Sequence, residues 1–230
     1  MNRTYFSDLP SYHGPDVPQL SDHQALHVRF VEVAQGEGRP PELCVERTYP
    51  GPQHNRIIQT QAQARNIVGQ ATDEFASLGV RTPSVLDTEF LQAADGLWHI
   101  RTLVEYVPHQ PLSGIDTVPE EYLPAIESAA GSLSQYYEGV IRGESTVFLG
   151  DVGAWSQWAV TTHEVTDIAT TTGFEAVQLD ADPYLHPSDD RGLLQNSLHR
   201  FGKWSERIPD PDCAHMIGEV VAYLSEGLQG

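Results

Sequence analysis

The residues best suited to chemistry crowd one stretch of the chain, where Asp180, Asp182, His186, Asp189 and Asp190 follow in quick succession. Carboxylates in such density could hold a hard divalent cation, which prefers oxygen ligands. The same residues also fit a plainer pattern. A strand end runs into a Pro-containing loop, and acids at the start of a helix then favour its dipole. The spacing is not that of an EF-hand loop. His163 and Asp167 flank Glu164, but no second histidine stands at zinc spacing. His13, His23 and His27 fall in a polar arm, where histidines are usually solvated. Trp155, Trp158 and Tyr184 could stack on a ligand, although packing in a core or at its rim is the commoner use of such rings. The sequence contains no GxSxG elbow, no phosphate-binding P-loop and no complete GxGxxG.

Composition narrows the classes. The 230 residues suit one large domain or two closely packed lobes, and a chain of this length builds a core without covalent staples. Acidic residues number 32 against 13 basic ones, for a formal charge of −19, and Lys203 is the only lysine. So few cations disfavour a broad nucleic-acid surface, which needs clustered Lys and Arg. An acidic surface is compatible with a cationic small molecule or partner. Cys44 and Cys213 lie far apart, outside any metal-binding spacing, and read as free thiols of a reducing compartment. The first residues lack the apolar run of a signal peptide, and no stretch is apolar enough to span a bilayer. The expectation is a cytoplasmic protein that engages neither membrane nor nucleic acid.

The elements that must position these residues follow from periodicity. Residues 26–34 and 42–48 read as a strand pair, and residues 84–92 and 97–107 as a second pair joined through Asp95-Gly96. Residues 54–78 carry a helical stripe, Ala64, Val68, Ala71, Phe75 and Leu78, ended by Gly79. A second stripe, Leu123, Ile126, Ala130, Leu133, Tyr137 and Val140, predicts a helix over 119–142, with Pro119 in its first turn. The apolar run Val147-Phe148-Leu149 precedes Gly150-Asp151, and 157–163 with 174–180 form a further hairpin. Helices over 189–206 and 212–227 close the chain, and a strand is expected near Thr4–Phe6. Strands cluster early and helices late, which makes the fold α+β.

Four segments give this layout a family likeness. They are Cys44-Val45-Glu46-Arg47-Thr48-Tyr49-Pro50-Gly51, Leu103-Val104-Glu105-Tyr106-Val107-Pro108, Phe148-Leu149-Gly150-Asp151 and Ala176-Val177-Gln178-Leu179-Asp180-Ala181-Asp182-Pro183. Taken in order, they resemble the phosphate-gripping strand, the hinge between lobes, the catalytic loop and the metal-binding strand end of the aminoglycoside phosphotransferase and choline kinase group. That group has the protein-kinase-like fold. The resemblance spans residues 27–225, mostly as element order. It implies an arm over 1–25, a small β-rich N-terminal lobe over 26–107 and a larger helical C-terminal lobe over 108–230.

The resemblance also implies roles. Phosphoryl transfer needs positioning and cations more than covalent help from the protein. Asp151 would take the proton of an acceptor hydroxyl, and Arg47 would grip the nucleotide phosphates. Backbone groups of Glu105, Tyr106 and Val107 would meet the adenine. Asp180 and Asp182 would hold magnesium, with Ser156 in the place of the family's asparagine ligand. ATP and Mg²⁺ are the implied cofactors, and a small molecule is the implied substrate. The sequence departs from the pattern in five places, one of them the 54–78 helix, which has Gln59, Gln61 and Gln63, and only Glu74 near its end, where the family offers a partner glutamate. Leu149 stands where the family has histidine, Ser156 where it has asparagine and Arg47 where it has lysine, and no Gly-rich loop precedes residues 26–34. These departures support a second expectation, a catalytically inactive kinase-fold protein that binds a ligand or a protein partner.

Overall fold

The computed structural model describes residues 27–34, 42–50, 73–74, 76–92, 98–145, 147–164, 172–178 and 185–229. The strand expected near Thr4–Phe6 and most of the 54–78 helix lie outside these residues. The chain groups into two compact units. One contains residues 1–68 and 84–106, and the other residues 69–83 and 107–230.

Among the described residues, the first unit contains four antiparallel strands: β1 (His27–Val33), β2 (Glu42–Pro50), β3 (Val85–Gln92) and β4 (Trp98–Glu105). Their order is β1-β2-β4-β3, so β2 and β4 pair at the centre and the two predicted hairpins form one sheet. Residues directly opposite in register share a face. Val31 faces Cys44, and Arg29 faces Glu46, which faces Leu103. On that face Val31, Cys44 and Leu103 form a buried cluster. Beside it runs a charged row. Glu46, almost fully buried, accepts from Arg29 at 2.9 Å and lies 3.8 Å from Arg101, which in turn binds Glu89 at 2.9 Å. A buried carboxylate is tolerated only when opposite charge and hydrogen bonds surround it, and the two arginines supply both. The other face carries Phe30, Val45, Ile100 and Val104, all buried. Both faces of the sheet therefore bury apolar residues, which explains why strict alternation is visible along only part of β1.

In the second unit the helical residues 73–74 and 76–77 lead to Gly79, whose φ of +75° is the left-handed conformation that a glycine after a helix supplies. The strand β5 (Gln110–Pro111) follows. A 3-10 turn (Glu120–Tyr122) then leads into α1 (Leu123–Ile141). Ile126, Ala130, Leu133, Tyr137 and Val140 of the predicted stripe are buried. Next come β6 (Val147–Leu149), a 3-10 turn (Trp155–Gln157), β7 (Trp158–Glu164), β8 (Thr172–Gln178) and β9 (Leu185–Pro187). The helices α2 (Arg191–Gly202) and α3 (Pro211–Gly227) close the unit, separated by a 3-10 turn over Lys203–Glu206. Asp190 and Asp210 cap these helices, accepting from Leu193 N–H at 3.2 Å and Cys213 N–H at 3.0 Å. The second unit's strands lie in two small sheets, β5-β7-β8 and β6-β9. The β6-β9 pair is a departure from the sequence reading, which put a Pro-containing loop between the 174–180 strand and the 189–206 helix. Three residues between prolines carry too little periodicity to mark a strand. A β-sheet region followed by a helical region makes the chain α+β, as expected. Among the described residues no helix is long and apolar enough to cross a membrane.

Burial settles the chemistry of both thiols. Burial first, then Glu42 and Glu105, pushes the Cys44 thiol up to about 12 from an ordinary 9.0. Burial, Glu127 and Asp210 raise Cys213 to about 11. Only the thiolate is nucleophilic, so at pH 8 both thiols should react with Ellman's reagent far more slowly in the native chain than in urea. Because the folded-state values are the higher ones, unfolded thiols release protons first. The thiol contribution to stability should therefore be intact below pH 9 and fall as pH rises from 9 towards 12, read as a declining urea midpoint. Equal native and unfolded thiol reactivity would refute the assignment.

Candidate functional site

The loop that carries Asp151 leaves β6 at Leu149 and enters β7 at Trp158, and its backbone polar groups are paired at unusual places. The Leu149 N–H donates to the Tyr136 hydroxyl oxygen at 2.9 Å. The Val152 carbonyl accepts from the Trp158 indole N–H at 2.7 Å, and the Gly153 carbonyl from the Trp204 indole at 3.0 Å. Trp155, inside the loop, donates its own indole N–H to the Leu112 carbonyl at 2.9 Å. Trp204 stands at the centre of the cluster, edge-on to Trp155, Trp158 and Phe201 with ring centroids 5.1, 5.3 and 5.4 Å away. Such edge-to-face pairs each add about 0.5–1.5 kcal/mol beyond area burial. Trp158 and Trp204 are fully buried and Trp155 nearly so, so these rings pack the loop rather than receive a ligand. Tyr184 lies outside the described residues.

Gly153 makes the close approach possible. A Cβ there would overlap the Ser197 carbonyl oxygen, sit 2.5 Å from the Tyr137 hydroxyl and come within 3.1 Å of the Phe201 amide nitrogen. The neighbouring Tyr137 hydroxyl shares a 2.7 Å hydrogen bond with Ser197 Oγ. Burial holds both the Tyr136 and the Tyr137 phenol well above the ordinary tyrosine range, so both remain neutral hydrogen-bonding groups.

Strand pairing fixes where this loop lies. Leu149, at the end of β6, pairs with Leu185, and Trp158, at the start of β7, pairs with Gln178. The two ends of loop 150–157 are thus bonded to the residues that bracket segment 179–184. Asp151 stands two residues beyond Leu149, and Asp180 two residues beyond Gln178. Asp180 and Asp182 themselves lie outside the described residues, as does the side chain of His186.

The Asp151 side chain is about one quarter exposed, and its Oδ1 accepts from Nη1 of Arg200 in the last turn of α2. Arg200 was not singled out from the sequence. A basic residue near a helix C-terminus is ordinary there, and nothing local links it to a loop 49 residues earlier. Ser156 is exposed on the 3-10 turn. Asp190 caps α2 and Asp189 is exposed beside it, the plainer of the two readings for those acids. Among the described residues, no three His, Cys, Asp or Glu side chains are grouped as metal ligands.

In the first unit, Arg47 lies on β2 between Val28 and Thr102, and Thr102 in turn faces Thr88. Both threonines are buried, and among the described residues the Thr102 hydroxyl has no hydrogen-bond partner. Several backbone groups of the hinge-like segment are already engaged. The Glu105 N–H donates to the Ser84 carbonyl at 2.9 Å and the Tyr106 N–H to the Leu43 carbonyl at 3.1 Å. The Val107 carbonyl, in the second unit, lies 2.6 Å from His109 Nδ1.

No family model matches the sequence, and no curated protein does. Similar solved structures include WaaP in complex with acyl carrier protein, at 13% identity and a TM-score of 0.39, covering 97% of this chain and 89% of that one. They also include the Rio2 kinase from Chaetomium thermophilum, at 10% identity and 0.45, covering 88% of this chain and 63% of that one. A third is amicoumacin kinase hAmiN in complex with AMP-PNP, Ca²⁺ and Ami, at 12% and 0.41, covering 96% and 74%. These likenesses are faint, and the chain's own residues must carry the functional case.

Substituting Gly153→Ala tests the packing around the loop. The added methyl meets backbone on two sides, and backbone cannot rotate away. The expected loss is about 3 kcal/mol or more, the large end of overpacking costs, measured by urea unfolding. A loss below about 1 kcal/mol would contradict the described contact.

Proposed function

We propose that the chain is a divergent, kinase-like small-molecule phosphotransferase, with Asp151 as the base. The observation that carries this reading is the double strand pairing, which ties both ends of the Asp151 loop to the residues bracketing Asp180 and Asp182. Two carboxylate-bearing segments, separate in sequence, are thereby tethered together. In the proposed step an acceptor hydroxyl oxygen bonds to the γ-phosphorus of ATP, its proton passes to Asp151, and the bond to the departing nucleoside diphosphate breaks. Asp180 and Asp182 are the proposed magnesium ligands, with Ser156 as the third candidate. When bound, the ion would neutralise phosphate charge. Arg47, opposite Thr102 in the sheet, is the proposed phosphate grip, and Glu105 to Val107 the proposed adenine contact.

A second reading is favoured by one specific observation. Arg200 occupies one oxygen of the proposed base, and Leu149 and Ser156 replace the family's histidine and asparagine. A kinase-fold module that binds a ligand or protein partner without transfer fits those features.

Thermal-shift titration separates the two. The first reading predicts stabilisation by ATP with Mg²⁺ beyond that by Mg²⁺ alone, since a ligand of the folded state raises apparent stability. It also predicts that Asp151→Asn lowers transfer by about 10²–10⁴-fold, the usual worth of a positioned acid–base group, while the melting temperature stays close to that of the parent. Undiminished transfer in that variant would remove Asp151 from the mechanism.

A further inference from the structure

We propose that Arg200 is an oxyanion-binding residue, so that the molecule presented to Asp151 carries a phosphate or carboxylate group taken by the guanidinium. The inference rests on the reading of the Asp151 loop as the ligand-binding site, and it names the chemical class of the ligand.

A guanidinium carries five N–H donors in a planar fork. Among the described residues, Arg200 spends one of them, on Asp151 Oδ1. Its side chain is 44% exposed, against 23% for the aspartate, so the guanidinium is the more accessible partner of the pair. Other described cations are placed differently. Arg29 and Arg101 sit in the buried charged row of the first unit. Arg191 and Arg207 donate to the carbonyls of Leu228 and Ile115. Arg142 and Lys203 pair with glutamates one turn away on their own helical segments.

Both partners of the Asp151–Arg200 pair are held in place. The aspartate's loop is pinned through the carbonyls of Val152 and Gly153. The next residue after Arg200, Phe201, is buried against Tyr137 and Trp204 at 5.8 and 5.4 Å. An exposed ion pair contributes little to stability, so an incoming anion can share the guanidinium at small cost. The fork shape suits phosphate and carboxylate oxygens.

The chain's charge of −19 points towards cationic ligands, but it acts over distances that physiological salt screens beyond about 8 Å. At the loop itself the guanidinium cancels the aspartate. A simple cation would meet Arg200 as a like charge. A ligand with a hydroxyl next to an oxyanion satisfies both groups, with its hydroxyl donating to Asp151 and its oxyanion accepting from Arg200.

The test is titration of the full chain with inorganic phosphate at low ionic strength, followed by calorimetry, with choline chloride as the cationic probe. Phosphate should bind and choline should not. Arg200→Gln should weaken phosphate binding at least tenfold and Arg200→Lys by less. Asp151→Asn should tighten it severalfold by removing the competing carboxylate, and Arg142→Gln should leave it unchanged. Saturating AMP-PNP distinguishes the source of the anion. Displacement of phosphate assigns the Arg200 subsite to a nucleotide phosphate, and simultaneous binding assigns it to the acceptor's own anionic group. Equal phosphate affinity in Arg200→Gln and the parent, or loss of binding in Asp151→Asn, overturns the proposal. Should Arg200→Gln fail to fold, the opposite shifts expected for Arg200→Lys and Asp151→Asn still decide it. Phosphate binding that depends on Arg200 in a chain without transfer activity would retain this inference and remove the phosphotransfer reading.

Discussion

Backbone carbonyls buried in an irregular loop must find donors, because each unpaired polar group costs about 1–3 kcal/mol. At the Asp151 loop the donors are indoles. Trp158 reaches Val152, Trp204 reaches Gly153, and the loop's own Trp155 reaches out to Leu112. Regular structure could not have provided these bonds, since the loop must turn sharply between two different small sheets. The aromatic cluster thus does two jobs with the same atoms. It fills the core of the second unit, and it fixes the backbone that presents a carboxylate to solvent. Gly153 is the matching concession, because its missing side chain lets α2 lie against the loop.

The geometry of the loop follows from that constraint. With Leu149 and Trp158 fixed, β6 and β7 are set, and their partners β9 and β8 position the two ends of segment 179–184. Arg200 comes from the helix whose next residue, Phe201, is packed into the same cluster. A polar pair at the surface is therefore oriented by apolar packing beneath it. The first unit uses a different device. There, a row of alternating charges lies beside the apolar cluster of a sheet buried on both faces, with Glu46 held between Arg29 and Arg101.

Much of this fold is legible in the sequence, for physical reasons. The stripe Ile126, Ala130, Leu133, Tyr137, Val140 could be little but a helix, and the alternation and turn residues around β1 to β4 marked strands. Gly79 announced a helix end, and Asp190 behaved as a cap. The central pairing of β2 with β4 is a long-range choice that local pattern cannot express. The three-residue strands β6 and β9 carry no period long enough to read. At the site, Asp151 stood out through its resemblance to a catalytic loop. The indole bonds and Arg200 did not, because they join residues as many as 51 positions apart and depend on side-chain geometry. Trp155 and Trp158 were visible as candidates, but only burial distinguishes a packing ring from a stacking platform.

In the proposed phosphotransferase, two carboxylate-bearing segments, tethered at both ends by strand pairs, meet around one phosphoryl group. An experimental structure of the chain with AMP-PNP and Mn²⁺ tests it most directly. The expected result is the Asp151 and Asp180 carboxylates on one side of the nucleotide, close enough for a single phosphoryl group to touch both, with the metal's anomalous signal beside Asp180. Side chains of Asp151 and Asp180 directed into separate regions, with the γ-phosphate near neither, would contradict it.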